Sequence, residues 1–178
     1  GFAVNVGDTS ISGTGTQGDG VVLRNNSTAL IEFQGLDIQT DAGNGFFVRD
    51  GGTVNFRGES PTVVANNGTA VDIDALTIGQ TDGVDGWTFN TITLNNAAGA
   101  TGGSAVRLNN IANDFTVTGN TNINANGEAG IFITGGDTAI QFAQVNSTNR
   151  LAVGIQIEDI NGTVRIASAN IDNANGVA

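Results

Sequence analysis

The chain has no cysteine, histidine, methionine or tyrosine, and one proline in 178 residues. Its six basic residues are all arginine (Arg24, Arg49, Arg57, Arg107, Arg150 and Arg165), so lysine is missing too. Without cysteine there is neither a disulfide framework nor thiol chemistry. Without histidine, lysine or tyrosine, the groups able to move protons reduce to carboxylates, with arginine as the only cation beside them. Enzyme activity is therefore not expected. No run of 18 apolar residues occurs, so no membrane insertion is expected, and no basic-then-apolar leader is present in this stretch. Seventeen acids against six arginines leave a net charge of −11. A field of that sign repels phosphate backbones and anionic lipid, which excludes nucleic acid and membrane surfaces as expected partners. No stretch keeps a 3.6-residue apolar period for three turns, so helices are not expected either.

What is present is glycine, at 27 residues, with asparagine, threonine and aspartate, the residues of tight turns between short strands. A unit of glycine followed by a short alternating strand recurs along the chain: GFAVN at Gly1, GVVLR at Gly20, GFFVR at Gly45, GTAVD at Gly68, GSAVR at Gly103, GIFIT at Gly130, GIQIE at Gly154 and GVA at Gly176. Consecutive starts lie 19, 25, 23, 35, 27, 24 and 22 residues apart. A period in the twenties indicates a solenoid, each repeat one coil stacked on the next. Alternation within the unit places Phe2/Val4, Val21/Leu23, Phe46/Val48, Thr69/Val71, Ser104/Val106, Ile131/Ile133 and Ile155/Ile157 inward.

Most coils carry two further strands, such as Ala29 to Gln34 with Leu36 to Thr40, or Phe115 to Thr118 with Thr121 to Asn124. The expected fold is all-β: a parallel β-helix of about seven coils, each of three short strands, over residues 1–178 as one solenoid segment. The segment is expected to be internal to a longer repetitive chain. The long coil from Gly68 has its excess in Gln80 to Gly86 and Asn96 to Gly102, where solenoids place loops.

The succession GGTVNF (51–56), NGTAVDI (67–73), LTIG (76–79), WTFNTI (87–92) and FTVTG (115–119) resembles the right-handed parallel β-helix repeats of large bacterial cell-surface and adhesin-like proteins. The resemblance covers essentially the whole chain and implies the pectate-lyase-like superfold, which also serves polysaccharide lyases and phage tailspikes, so fold alone does not assign function. It implies an extracellular, non-catalytic structural element of a surface fibre, stalk or filament. The alternatives are a glycan- or surface-binding adhesin module, with the long coil's loops as contact candidates together with Trp87, which begins a strand and at such a position is more often core, and a polysaccharide lyase or hydrolase.

Several residues bear on these choices. One outward column (Asn5, Arg24, Arg49, Asp72, Arg107, Thr134, Glu158) carries Arg49, Asp72 and Arg107 in alternating sign. A ladder of ion pairs is the expected arrangement, ahead of a catalytic Asp72/Arg107 pair. The other outward column (Ala3, Val22, Phe47, Ala70, Ala105, Phe132, Gln156) is mostly apolar where a surface should be polar. Val22, Phe47, Ala70, Ala105 and Phe132 are thus candidates for lateral packing of solenoids, unless a loop covers them. Self-association, side by side or end to end, and a cell-surface glycan are the partners expected. No cofactor is expected. Calcium is the one ion that Asp82 and Asp85, with Asp74 nearby, would suit, but the spacing of known calcium loops is missing and a solvated acidic turn is the first expectation.

Overall fold

The computed structural model describes residues 2–13, 18–50, 52–74, 78–97, 103–126, 128–148 and 153–172. Those residues are all-β, with no helix, and their parallel strands stack into a β-solenoid of about six turns. Two sheets form its walls. A six-stranded parallel sheet holds Val21–Arg24, Phe46–Arg49, Val71–Asp74, Val106–Asn109, Ile131–Thr134 and Ile155–Glu158 in chain order. The remaining strands form a twelve-stranded sheet, in which the chain of each coil runs first one way, then bends and runs on. In places the two runs merge, as in Ala29–Thr40 and Phe115–Asn124.

The local reason for each strand of the smaller sheet lies at its two ends. It begins just after a residue packed tightly against the next coil, in the column Gly20, Gly45, Ala70, Ala105, Gly130, Gly154 joined by backbone hydrogen bonds. A Cβ on Gly45 would lie 2.5 Å from Val63 Cγ1 and 2.6 Å from the Ala70 carbonyl oxygen, so the coils approach too closely there for any side chain unless the backbone shifts, while the equivalent corners at Ala70 and Ala105 admit a methyl group. Each strand runs four residues, and in five of the six the next residue has positive φ: Asn25, Asp50, Asn110, Gly135 or Asp159; residue 75, after Val71–Asp74, lies outside the described residues. Asparagine, aspartate and glycine enter that region at least cost, and the chain turns the corner.

This pattern corrects the frame at three coils. Thr69 and Ser104 are not strand residues; they precede the corner, and the strands are Val71–Asp74 and Val106–Asn109. Ala70 and Ala105 are corner residues with no exposed surface, not members of an outward column. In the corrected frame the corner residues lie 25, 25, 35, 25 and 24 residues apart, which is more regular than the spacing of the glycines. The third correction is at the start: Phe2–Ser12 pairs along its length with Ala29–Thr40 in the larger sheet. After Asn5 comes Val6, a β-branched residue that cannot take positive φ, so the chain does not turn there.

The interior is continuous. Val21, Phe46, Val71, Val106, Ile131 and Ile155 form one inward column of the smaller sheet and Leu23, Val48, Ile73, Leu108, Ile133 and Ile157 the next. Facing them, Phe33, Phe56, Phe89, Phe115 and Phe142 make a run of ring contacts at 5.3–6.3 Å between centres. Each such side chain contributes about 1.5–3 kcal/mol by burial.

The long coil is where the chain departs from the plain repeat. Ile78–Thr81 continues the ladder from Thr53–Phe56 below, and Trp87–Phe89 continues it to Phe115–Val117 above. Between them lies a two-residue hairpin, Thr81 opposite Val84, turned by Asp82 (φ 51°) and Gly83 (φ 79°). Aspartate-glycine is the favoured pair for such a turn. Gly79 stands at the inward position over Val54 and leaves room there for the indole of Trp87, whose Nε1 donates to the Val54 carbonyl at 2.9 Å.

Candidate functional site

The outer face of the six-stranded sheet gathers most of the residues singled out above. Its central column is Val22, Phe47, Asp72, Arg107, Phe132, Gln156, and the neighbouring one is Arg24, Arg49, Asp74, Asn109, Thr134, Glu158. Asp72 and Arg107 therefore share a column with the two phenylalanines, not with Arg49. The two-residue slip at Gly68 and Gly103 is the cause.

The corrected register changes what this face is. Phe47 is only 4% exposed because two guanidinia cover it, Arg24 at 4.5 Å and Arg49 at 4.9 Å from the ring centre. Arg49 is in turn held by the coil above, with Nη2 3.7 Å from Asp72 Oδ2 and Nε 3.5 Å from Asp74 Oδ2. A cation stacked on a ring is favourable, and arginine's flat, weakly hydrated head suits it best. The continuous apolar stripe expected from Val22 through Phe132 is thus interrupted by Asp72 and Arg107 and sealed at Phe47. Arg49 thus pairs with Asp72 and with Asp74, which also accepts from Asn109 Nδ2 at 2.6 Å, whereas among the described residues no ion pair within 4 Å joins Asp72 to Arg107, the third member of the expected ladder.

Burial pushes the Asp72 carboxyl above its ordinary value; Arg107 and Arg49 pull the other way, while Asp74 and Glu128 add to the rise. Across the molecule, Glu32 is the reverse case. Its Oε1 accepts from Arg57 Nη2 at 2.8 Å, Arg57 Nε at 3.0 Å and Asn55 Nδ2 at 3.4 Å, and these bonds, Arg57's first, lower its value. The signs give opposite pH dependences. With its folded value raised, ionised Asp72 carries a cost at neutral pH that is relieved as the pH falls through that value. With its folded value lowered, Glu32 stabilises at neutral pH, and that contribution disappears as the pH falls through the depressed value. Asp72→Asn is therefore expected to be neutral or stabilising at neutral pH and Glu32→Gln destabilising. Both differences should vanish in acid, as read from denaturant midpoints across the pH range. A Glu32→Gln deficit that persists in acid would contradict this assignment.

The other sequence candidates are placed as follows. Trp87 is 1% exposed and lies in the core, so it offers no surface to a glycan. Asp82 Oδ1 accepts from the Gly58 amide of the coil below at 2.7 Å, and Asp85 Oδ1 accepts from Gln80 Nε2 across the hairpin at 2.8 Å. Among the described residues no group of three or more acids is arranged to hold a metal ion. Residues 98–102 of the second long-coil loop, Arg150, and the repeat start at Gly176 lie outside the described residues.

Two features were not anticipated. One is the pair of arginines over Phe47, for which the signal was present: arginine follows the phenylalanine two residues on, and the coil before it also ends in arginine. The other is a set of amide ladders on the larger sheet. Asn95 Nδ2 donates to Asn66 Oδ1 and Asn66 Nδ2 to Asp41 Oδ1, each at 3.3 Å, and Asn146 Nδ2 donates to Asn122 Oδ1 at 3.1 Å. Stacked amides at the strand spacing bond coil to coil, so part of the asparagine content serves strand faces as well as turns.

Fold and face together define the class: a parallel β-solenoid with a charged, aromatic-bearing outer sheet. Compared with protein-family models, curated proteins and solved structures, the chain finds no match.

Proposed function

We propose that the chain is a structural element of an extracellular fibre, stalk or filament, non-catalytic, of the kind that large bacterial surface proteins build from stacked β-coils. The observation that supports this reading is the state of the two end layers. Among the described residues, Phe2–Ser12 is paired on one side only, and so are Ile155–Glu158, Thr163–Ile166 and Ala169–Ile171 at the other end. Interior side chains are open there, with Val4 36%, Ile157 44% and Ile171 40% exposed. Unpaired edges over an apolar interior are surfaces on which another β layer can stack. The role is then mechanical, a stiff rod held by backbone ladders and inward columns, with its net negative charge keeping the surface hydrated.

Electron microscopy of the native material at neutral pH, with and without a calcium chelator, tests this. Long uniform filaments are the expected result in both conditions. Discrete short particles would overturn the fibre reading, and filaments lost in chelator would assign the Asp82/Asp85 hairpin a role in holding metal.

A further inference from the structure

The surroundings of Phe47 form a finished guanidinium seat: a ring, two arginines over it, and two carboxylates in the coil above. Phe132 occupies the same column three coils on, and the same scaffold is laid out around it with one part missing. Thr134 stands at the column position of Arg49, and Asn109 at that of Arg24. Both are too short to cover a ring. In the coil above, Gln156 and Glu158 take the places of Asp72 and Asp74, with Gln156 Nε2 donating to Glu158 Oε1 at 2.6 Å. Among the described residues Arg107 alone reaches the ring, at 6.0 Å. Phe132 is only partly buried, and between it, Arg107, Gln156 and the residues leading into the corners, Ser104, Glu128 and Ala129, lies a concavity of about 340 Å³.

We propose that this is a seat for a guanidinium group supplied from outside: an arginine side chain on a basic segment of a partner protein. Charge favours it. Asp72 and Asp74 are taken up by Arg49, and around Phe132 the acids Glu128 and Glu158 stand against Arg107, on a chain of net charge −11. A second cation beside Arg107 has a precedent on the same sheet, since Arg24 and Arg49 are register neighbours and share one ring while the carboxylates above hold the charge. Arginine is preferred to lysine because its planar head stacks on a ring and can present a fork of donors to carboxylates at the same time. This inference does not rest on the fibre reading.

The test is NMR of the whole chain labelled at its phenylalanine rings, with the Phe132 signal identified by Phe132→Leu. Acetyl-arginine amide is titrated in, then acetyl-lysine amide, the neutral isostere acetyl-citrulline amide, and a neutral disaccharide. The expected result is a saturable shift of the Phe132 signal with arginine that weakens as salt is raised, is several-fold weaker with lysine and is absent with citrulline and the sugar. Phe47, already covered, should not respond. Thr134→Arg, which supplies the missing group from the position used at Phe47, should move the Phe132 signal by itself and abolish the response. The proposal is overturned by an equal shift with citrulline or the disaccharide, by no shift with arginine, or by an undiminished response in Thr134→Arg.

Discussion

Replacing Gly79 by alanine is expected to break the long coil. The added Cβ would sit 1.4 Å from Trp87 Nε1 and about as close to the rest of the five-membered ring, with Cε2 at 2.0 Å and Cδ1 at 2.2 Å. The indole has nowhere to go: it is 1% exposed and is bonded to the Val54 carbonyl. Expelling it forfeits both the packing and the bond, and truncating a buried tryptophan to alanine costs about 3–5 kcal/mol. Gly79→Ala should cost at least that much, although glycine to alanine in a strand is ordinarily a gain. The pair decides the mechanism. If the methyl acts by displacing the indole, Gly79→Ala combined with Trp87→Ala should be no less stable than Trp87→Ala alone, a strongly non-additive cycle. Denaturant midpoints of the four proteins measure it. Simple additivity, or a Gly79→Ala protein as stable as the parent, would show that the indole does not rest on Gly79.

The second large effect is expected at Phe89. Its ring has no exposed surface and lies 5.3 Å from Phe115, 5.5 Å from Phe56 and 6.0 Å from Phe46, so it links the two walls and the coils above and below. Phe89→Ala should cost about 3–5 kcal/mol. Phe33→Ala is the control: among the described residues it has one ring neighbour, at 6.3 Å, it is 5% exposed, and it lies near one end of the stack. Stability in a solenoid is close to a sum of coil terms and nearest-neighbour interfaces, so damage in the middle weakens the coupling between the two halves. Phe89→Ala is therefore expected to broaden or split the thermal transition, while Phe33→Ala lowers it with less change of shape. Calorimetry distinguishes the two. Equal shifts with one sharp transition each would contradict this role for Phe89.

Much of the fold was legible because a coil is a local object. The four-residue alternation in Phe46–Arg49 or Ile131–Thr134 puts apolar side chains on one side whatever lies above or below, and strand limits such as Thr91–Asn95 follow from the turn residues that flank them. The frame is less legible. Glycine is an incomplete landmark, because the corner requires a residue small enough for the next coil to approach, and alanine meets that need at Ala70 and Ala105. A second mark, at five of the six strands, is the residue after the strand, where Asn25, Asp50, Asn110, Gly135 and Asp159 turn the chain with positive φ.

The outer face shows what a frame error does to a reading of function. Moving two strands by two residues keeps inward and outward correct, because the period of a strand is two, yet it changes which outward residues are neighbours. Asp72 and Arg107 passed from a charge column into the phenylalanine column, and an apolar stripe became an alternation of rings and charges. Whether Phe47 is an interface or a sealed ring depends on Arg24, a full coil earlier, and on Asp72 and Asp74, a full coil later.

By itself, then, the sequence determined the all-β class, the stacking of coils, the composition of the interior and the sign of the surface field, since each follows from residues within one coil or from their sum. Only the tertiary structure decided the register of the outer columns, the burial of Trp87 over Gly79, and the difference between a covered Phe47 and a partly open Phe132. Those depend on which residue of one coil lies against which residue of the next. That pairing is set by the length of every turn between them, which alternation within a strand does not record.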